Sequence, residues 1–430
     1  MKRRLFTVAH VVCIALSVAS MLQAADAKTR PVLKVADYLD WERVSNPQIS
    51  PDGKQVVYTR QWVNTLTDRW ESELWIVNAE GTKNRRLGKG SGARWSPDGK
   101  RLAYLHITRV LETPKNLRWS PDGKRIAFTM YVETKSKWTI NMPSPPKGAK
   151  WTKPPRIIES THYRQDRRGF LKQGFQHLFV VSAEAGTPKQ LTRGNWHVGA
   201  RFSGMDYGAG IDWTPDGKEI VFDGQKAKNA DRRYRESHIY AVDVKSRAVR
   251  QITRRKGPWS NPVVSPDGKQ IAYVGYDWTK QTYKANELYV IGRDGDGRRQ
   301  LCGKLDRDPG NLHWSPDGRA VYFTVRDRGS RNVYAASLEG RVTKLTGGVQ
   351  MLSLSSLSNN GTAVGTRSSF HRPPDVVCFT LPKAAEFQQL TRVNDDVLSE
   401  RRLGDVDEIL YTSTDKTRVQ GWIVKPPGFD

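Results

Sequence analysis

The sequence predicts an all-β protein, a β-propeller with seven blades, and three observations support this prediction. A turn phrase, Ser-Pro-Asp-Gly or a close variant, recurs seven times in 430 residues. A short apolar strand follows nearly every copy, and a tryptophan precedes four of them. The copies are Ser50–Gly53, Ser96–Gly99, Ser120–Gly123, Thr214–Gly217, Ser265–Gly268, Ser315–Gly318 and the eroded Ser358–Gly361. Such recurrence is typical of a repeat architecture, and a unit of about 45 residues has the size of one blade.

Each copy fits a tight turn that leads into a strand. Pro sets φ for the first corner, Asp bonds the nearby backbone, and Gly accepts positive φ. The run Gln55–Tyr58 after the first turn is typical of a short buried strand, and equivalent runs follow five more copies. We expect the rings that precede the turns to pack between neighbouring sheets. These rings are Trp95, Trp119, Trp213 and Trp314.

The remainder of each unit predicts two further strands. A second apolar run, such as Glu73–Val77 or Glu287–Ile291, follows the first. A third run closes on Leu-Thr or Ile-Thr, and these pairs are Leu191-Thr192, Ile252-Thr253, Leu345-Thr346 and Leu390-Thr391. A unit therefore has three or four antiparallel strands.

Two irregular spacings predict departures from the regular plan. Only 24 residues separate Ser96 from Ser120, which predicts a shortened second blade. By contrast, 94 residues separate Ser120 from Thr214, which predicts one blade plus a long insertion at about Tyr131–Gln176. The insertion is a candidate for reaching a second domain or subunit, and the alternative is a mobile surface loop.

Residues 1–27 predict a secretory signal peptide. Lys2, Arg3 and Arg4 precede an apolar run from Val8 to Leu22, and cleavage is expected at Ala25 or Ala27. This leader indicates export, with the bacterial periplasm as the expected location and no integral membrane segment after cleavage. The alternative is a membrane anchor, but the apolar run is short and interrupted, which argues against an anchor.

The net charge of +26 does not predict a nucleic-acid partner. The basic residues are spread along the chain, and no nucleic-acid-binding motif is present. A cationic surface, attracted to an anionic envelope, is the simpler interpretation. After the leader the cysteines are Cys302 and Cys378, which lie in different repeats and form either a disulfide or two free buried thiols.

The sequence assigns no catalytic, cofactor-binding or metal-binding residue. It contains no Gly-x-Ser-x-Gly nucleophile elbow, and Gly88–Gly92 has the wrong spacing. The eight histidines are scattered, and none form the pairs that bind zinc. A metal in the central channel remains an alternative, which requires His or carboxylate side chains that converge on the axis.

Several phrases together resemble the propeller of the S9 serine peptidases, the prolyl oligopeptidase-like enzymes of the dipeptidyl aminopeptidase and acylaminoacyl peptidase type. The phrases are Val44–Gly53, Asp68–Trp75, Gly174–Val181, Gly186–Thr192 and Val419–Asp430. The resemblance covers nearly everything after the leader. In this family the last phrase marks the passage from the propeller into an α/β-hydrolase domain.

The resemblance implies a two-domain enzyme in which the hydrolase domain carries a Ser-His-Asp triad and the propeller admits short peptides. The domains are then a signal peptide (1–27), a propeller (28–418), and the start of a linker or first strand into the hydrolase domain (419–430). No triad residue is carried over to this sequence, so we expect the chain to be inactive alone. A homo-oligomer is compatible with this interpretation. The alternative is a stand-alone TolB-like propeller, with the same WD40-like repeat, that acts as a protein-binding scaffold.

Overall fold

Seven blades of antiparallel strands form the computed structural model of the protein, which describes residues 30–429 except 107–112, 137, 139, 153–154, 167–168, 202–206, 209, 234, 282–283 and 384–385. Blades 6 and 7 are joined into one sheet by a parallel pairing of Arg331 with Met351. Blade 1 contains β1 (Arg43–Ile49), β2 (Gln55–Asn64), β3 (Arg69–Asn78) and β4 (Arg85–Lys89). Blade 2 contains β5 (Ser91–Trp95) and β6 (Leu102–Leu105). Blade 3 contains β7 (Lys115–Trp119), β8 (Arg125–Glu133), β11 (Gly174–Ser182) and β12 (Lys189–Gln190). Between β8 and β11 lies a ribbon of β9 (Arg164–Gln165) and β10 (Gly169–Phe170). The predicted shortened second blade is confirmed, because its sheet has two strands among the residues that the structure describes.

The remaining four blades follow in chain order. Blade 4 contains β13 (His197–Val198), β16 (Ile211–Trp213), β17 (Glu219–Gln225), β18 (His238–Asp243) and β19 (Val249–Gln251), beside a ribbon of β14 (Ala200–Arg201) and β15 (Tyr207–Gly208). Blade 5 contains β20 (Ser260–Val264), β21 (Gln270–Gly275), β22 (Glu287–Gly292) and β23 (Arg299–Gln300). Blade 6 contains β24 (Pro309–Trp314), β25 (Ala320–Asp327), β26 (Ser330–Ser337) and β27 (Val342–Lys344). Blade 7 contains β28 (Met351–Leu352), β29 (Ser356–Leu357), β30 (Thr362–Ser369), β31 (Arg372–Thr380) and β32 (Gln388–Gln389).

The recurring phrase forms the turn between the inner strand of each blade and the strand that follows it. In the turn before β21, the Ser265 hydroxyl donates to Asp267 Oδ1 at 2.6 Å, and that oxygen accepts the Lys269 N–H at 3.0 Å. The other copies repeat this arrangement. The turns also pack against one another in order around the ring, so that Gly268 lies beside Pro215. We call the side of the molecule that carries these turns the turn face, and the opposite side the far face.

The tryptophans before the turns join neighbouring blades, as predicted, and they also form hydrogen bonds that the sequence did not predict. Each indole N–H donates to a main-chain carbonyl of the inner strand of the preceding blade. The bonds run from Trp95 to Gln48, from Trp119 to Arg94, from Trp213 to Arg118 and from Trp314 to Val263, at 3.0 to 3.2 Å. A buried carbonyl without a partner is costly, so these bonds fix the spacing of adjacent blades.

The Leu-Thr pairs close the outer strand of four blades. In blade 3 the Leu191 side chain lies in the core, and the Thr192 hydroxyl accepts the main-chain N–H of Leu178 at 3.0 Å. Threonines at the same place in blades 4, 6 and 7 make the same bond. The hydroxyl thus replaces a ladder partner where the short outer strand ends.

Apolar clusters fill all seven interfaces between adjacent blades. The small second blade contributes Ala93 to one interface and packs against Leu117 and Phe128 at the other. Between blades 7 and 1, Val44 and Tyr58 pack with Val376. In the described part of the chain, no blade mixes strands from the two ends of the sequence. Side-chain packing therefore closes the ring.

The long insertion is shorter than the sequence predicted. Tyr131 pairs with Gln176 inside the sheet of blade 3, and the ladder continues to the pair of Glu133 with Gly174. The insertion therefore spans 134–173 and leaves the blade at the far face. Apolar strand residues near a loop cannot be told from loop residues without knowledge of the partner strand.

Short elements lie outside the blades, and a bond between two of the terminal segments links the start and end of the described chain. The 3-10 turns are Val35–Asp40 and Ala230–Arg232, the helix α1 is Asp395–Ser399, and a separate hairpin consists of β33 (Val406–Thr412) and β34 (Arg418–Val424). Arg401 binds Asp37 through two hydrogen bonds of 2.9 and 3.0 Å. Within the described residues no helix is long and apolar enough to cross a membrane. The predicted leader, 1–27, lies outside the described residues.

Candidate functional site

The inner strands of five blades contain the same irregularity. Each has a register shift with its neighbour, and in each the residue inside the shift has positive φ. These residues are Asn46, Gly92, Asn116, Asn261 and Asn311, with φ of 50° to 64°. Asn and Gly adopt this left-handed conformation at the lowest cost. A bulge of this kind redirects the side chains that follow it.

In every blade one inner-strand residue stands two before the turn, and in the five blades with a bulge it also stands two after the residue of positive φ. We call these seven residues the channel ring. Its members are Gln48, Arg94, Arg118, Asp212, Val263, His313 and Ser356. Four of them have carbonyl groups that accept the tryptophan bonds described above. Because the inner strands of a propeller border its central channel, this ring is the innermost layer of side chains.

The electrostatics of the ring agree with a position near the axis. Burial and the Arg118 charge lower the pKa of Arg94 to about 9. Burial and the same charge lower the pKa of His313 to about 4. Burial raises the pKa of Asp212, an effect that hydrogen bonds and the Arg118 charge oppose. Arg118 of blade 3 therefore acts on blades 2, 4 and 6, and only a place close to the axis is near all three.

The two arginines of the ring have few partners. Arg94 Nη1 donates to the carbonyl of Ala93 at 2.8 Å, and Arg118 Nη1 donates to that of Leu117 at 3.1 Å. Neither guanidinium forms an ion pair with a carboxylate of the described residues. The carboxylate of Asp212 accepts main-chain N–H groups of its own blade and of blade 5.

A cavity of about 380 Å³ opens at the far-face end of blade 6. It is lined by Asp308, Asn311, Thr324, Arg326 and Arg331, among others. Arg331 donates to the carbonyl of Leu352 in blade 7 at 2.8 Å, and burial together with the Arg326 charge lowers its pKa. The volume is within the range of small-ligand sites.

The hairpin β33–β34 lies on the same far face. Trp422 covers Gly329 of the β25–β26 connection and lies 6.4 Å from the ring of Phe370, which precedes β31. Leu410, Tyr411 and Val424 remain exposed, at 57%, 54% and 72%. The hairpin therefore presents apolar side chains to solvent beside blades 6 and 7.

The histidines and cysteines of the described residues build no metal centre. His177 and His238 contact the hydroxyls of Thr192 and Thr253. No group of three His, Cys, Asp or Glu that could hold a metal occurs among the described residues. Cys302 and Cys378 are free and buried, and burial raises the pKa of each thiol to about 12.

Sequence reasoning missed the channel ring, although the sequence contains a signal for it. An Asn or Gly stands four residues before the Ser of the turn in five blades, and the ring residue stands two before it. The signal is easily overlooked, because the ring residues share a position relative to the turn but differ in chemical type.

Comparisons with known proteins find similarity to peptidases. The N-terminal region family of dipeptidyl peptidase IV (DPP IV) matches residues 149–269. Dipeptidyl-peptidase 5 of Porphyromonas gingivalis is 23% identical over 96% of this chain and 63% of its own length. The uncharacterized peptidase YuxL of Bacillus subtilis is 25% identical over 89% of this chain and 62% of its own length. The chain thus spans about three fifths of the length of these relatives.

Solved structures agree with the fold. The acylaminoacyl peptidase of Pyrococcus horikoshii superimposes with a TM-score of 0.69 at 17% identity, over 93% of this chain and 59% of its own. The β-propeller domain of the Trilobed protease from Pyrococcus furiosus superimposes with a TM-score of 0.57 at 18% identity, over 83% of this chain and 97% of its own. The chain therefore has the β-propeller fold of these peptidases, and in sequence it resembles the propeller region of the dipeptidyl peptidases.

Proposed function

We propose that this chain is the non-catalytic propeller of a serine peptidase that hydrolyses short peptides, and that it selects the substrates that reach the catalytic domain. The observation that carries the proposal is the match of residues 149–269, which run from the insertion of blade 3 into blade 5, to the N-terminal region of dipeptidyl peptidase IV. Relatives that match nearly the whole chain are also peptidases.

The packing of the ring supports a selecting role. Each of the seven interfaces between blades has its own apolar cluster. At four of these interfaces a tryptophan indole also forms a hydrogen bond to the inner strand of the neighbouring blade. Interiors packed in this way resist deformation. A rigid ring admits an extended peptide along its channel and excludes a folded protein.

The far face supports the proposed partner, an α/β-hydrolase domain. We assign 419–430 to the start of the connection into that domain, and its first residues belong to β34. The exposed apolar side chains of Leu410, Tyr411 and Val424 provide a surface for it to bury. Export to the periplasm, through cleavage of 1–27, is part of the same proposal and is supported by the charged and apolar composition of the leader.

Activity measurements on purified 1–430 chain test the proposal. We expect no cleavage of a panel of fluorogenic dipeptide and acyl-amino-acid substrates, and no labelling by a fluorophosphonate probe of serine hydrolases. Labelling above that of a heat-denatured sample would contradict the non-catalytic assignment.

Binding measurements test the selecting role. Short fluorescent peptides should show saturable binding to the native chain, whereas a folded protein of the same charge should not. Equal binding of both, or of neither, would contradict selection by the ring.

A further inference from the structure

We propose that Arg94 and Arg118 form an anion-binding site in the central channel, which accepts the carboxylate or phosphate group of a small solute. The two residues occupy the same place in blades 2 and 3, directly after bulges at Gly92 and Asn116. This inference does not depend on the peptidase role, because it concerns the ring of inner-strand side chains alone.

The backbone holds the two arginines in position. The carbonyl of Arg94 accepts the indole N–H of Trp119 at 3.0 Å, and the carbonyl of Arg118 accepts that of Trp213 at 3.2 Å. Both side chains are half-buried. A site on rigid strands, whose main chain is bonded to the next blade, is preorganised for a ligand.

The guanidinium groups retain unused hydrogen-bond donors. Each carries five N–H groups, and in each one nitrogen donates to a carbonyl of its own strand. Planar guanidinium groups bind carboxylate and phosphate oxygens in a bidentate manner. Two groups of this kind, at equivalent places in adjacent blades, therefore provide several free donors for one oxyanion.

The acidic residue of the ring is already engaged by the main chain, and its charge opposes that of Arg118 only in part. Asp212 is the acidic member, and its two oxygens already accept the N–H groups of Trp213 and Val264 at 3.1 and 2.8 Å. His313 adds no negative charge, and burial together with Arg118 keeps its pKa at about 4, so that it is neutral at pH 7. Arg118 also destabilises the charged form of Arg94, in addition to burial. An anion between the two guanidiniums would relieve this repulsion.

Calorimetric titration of the 1–430 chain at pH 7 in low salt tests the site. The probes are sodium phosphate, sodium acetate, the dipeptide Ala-Ala and its C-terminal amide. We expect saturable binding of at least one anion, reduced by about tenfold or more in Arg94→Gln and in Arg118→Gln, because each loses a charge-assisted bond. Arg85→Gln removes the same charge from an exposed place on β4 and should change little.

A second variant separates ligand binding from a purely structural role. Asp212→Asn removes the negative charge of the ring, so anion affinity should rise severalfold, whereas a variant that only loosens the fold would not bind more tightly. Arg118→Lys keeps the charge but lacks the planar guanidinium group. Its affinity for the anion should therefore lie between that of the native chain and that of Arg118→Gln. Near-ultraviolet circular dichroism verifies that each variant is folded.

The outcomes distinguish the sources of the anion. Binding of Ala-Ala but not of its amide identifies a peptide carboxylate, and binding of phosphate alone identifies a phosphate group. Either supports the site when the arginine variants lose it. Absence of saturable binding of all four probes up to about 50 mM, or an equal loss in Arg85→Gln, would overturn the proposal.

Discussion

Asn394 and Glu42 exchange two hydrogen bonds across 352 positions of the chain. The side-chain amide of Asn394 accepts the main-chain N–H of Glu42 at 2.8 Å and donates to its carbonyl at 3.1 Å. Asn394 precedes helix α1 and is 3% exposed, and Glu42 precedes β1. The side chain thus imitates a strand partner at the interface between blades 7 and 1, where no strand crosses within the described residues.

Asn394→Ala should therefore destabilise the ring at its closure. The substitution leaves a main-chain donor and acceptor of Glu42 without partners, and we expect a loss of about 1–3 kcal/mol in the free energy of unfolding. Urea denaturation measures the loss, and hydrogen exchange should be faster at the Glu42 amide. Asn359→Ala is the control, since Asn359 is exposed and contributes its main-chain N–H, bonded to Pro51 at 3.1 Å, to the same interface. Equal effects of both would contradict the specific role of Asn394.

Trp314→Phe tests the bonds between neighbouring blades. The ring stays apolar, but the carbonyl of Val263 loses the indole N–H at 3.0 Å. We expect a loss of about 1–3 kcal/mol in the free energy of unfolding, because that carbonyl is buried between blades. Trp138→Phe, at a side chain that is 72% exposed, should have almost no effect on the urea midpoint. A neutral Trp314→Phe would show that packing alone sets the spacing of the blades.

Gly53→Ala tests the contact of the first turn with the last. Gly53 has φ of 77°, and a Cβ there would lie 2.8 Å from the amide of Asn360. That amide cannot move freely, since it accepts from Ser358 and Thr362. We expect a loss of about 1–2 kcal/mol for the left-handed backbone and of roughly 1 kcal/mol more for the displaced amide.

Gly297→Ala isolates the backbone part of this cost. Gly297 has φ of 65°, and a Cβ added there would meet open space, so only the left-handed penalty applies. Thermal and urea unfolding of the two variants should rank Gly53→Ala as the less stable. The reverse order would contradict the contact between the first and last turns.

Because the pKa of His177 is lowered in the folded chain, we expect the free energy of unfolding to decrease in acid. Its side chain is buried on β11, and Nδ1 lies 3.2 Å from the Thr192 hydroxyl. Burial lowers its pKa from 6.5 to about 4, against a smaller opposing effect of the Gly194 backbone. The unfolded chain therefore binds the proton more readily, so this residue's contribution is fully present above about pH 7.5 and decreases as the pH falls through 6.5 toward 4.

In His177→Gln this part of the pH dependence should disappear. The measurement is the difference between the free energies of unfolding at about pH 7.5 and pH 5, which should be smaller in the variant than in the native chain. An unchanged difference would show that His177 does not titrate differently in the folded and unfolded states.

Much of the fold could be predicted because its determinants are local. The turn at Ser265–Gly268 bonds within itself, so four residues suffice to specify it. The separation of Ser96 from Ser120 predicted a shortened blade for a similar reason, since the chain between them is too short for four strands. The limits of the insertion were wrong because the strand partner of Tyr131 lies 45 residues away, at Gln176.

The candidate site could not be predicted in the same way. Arg94, Arg118 and His313 are separate, unremarkable residues in the sequence, and each blade alone gives them no common purpose. They influence one another's charge because seven inner strands stand around one axis. The bulges redirect the side chains that follow them.

The sequence by itself determined the repeat, the number of blades and the shortened second blade, because turns and strands depend on neighbouring residues and on chain length. Tertiary structure alone decided the closure of the ring through Asn394 and Glu42, the tryptophan bonds between blades and the charge of the channel. These depend on groups from distant repeats that come within hydrogen-bonding or Coulombic distance only after all seven blades have packed.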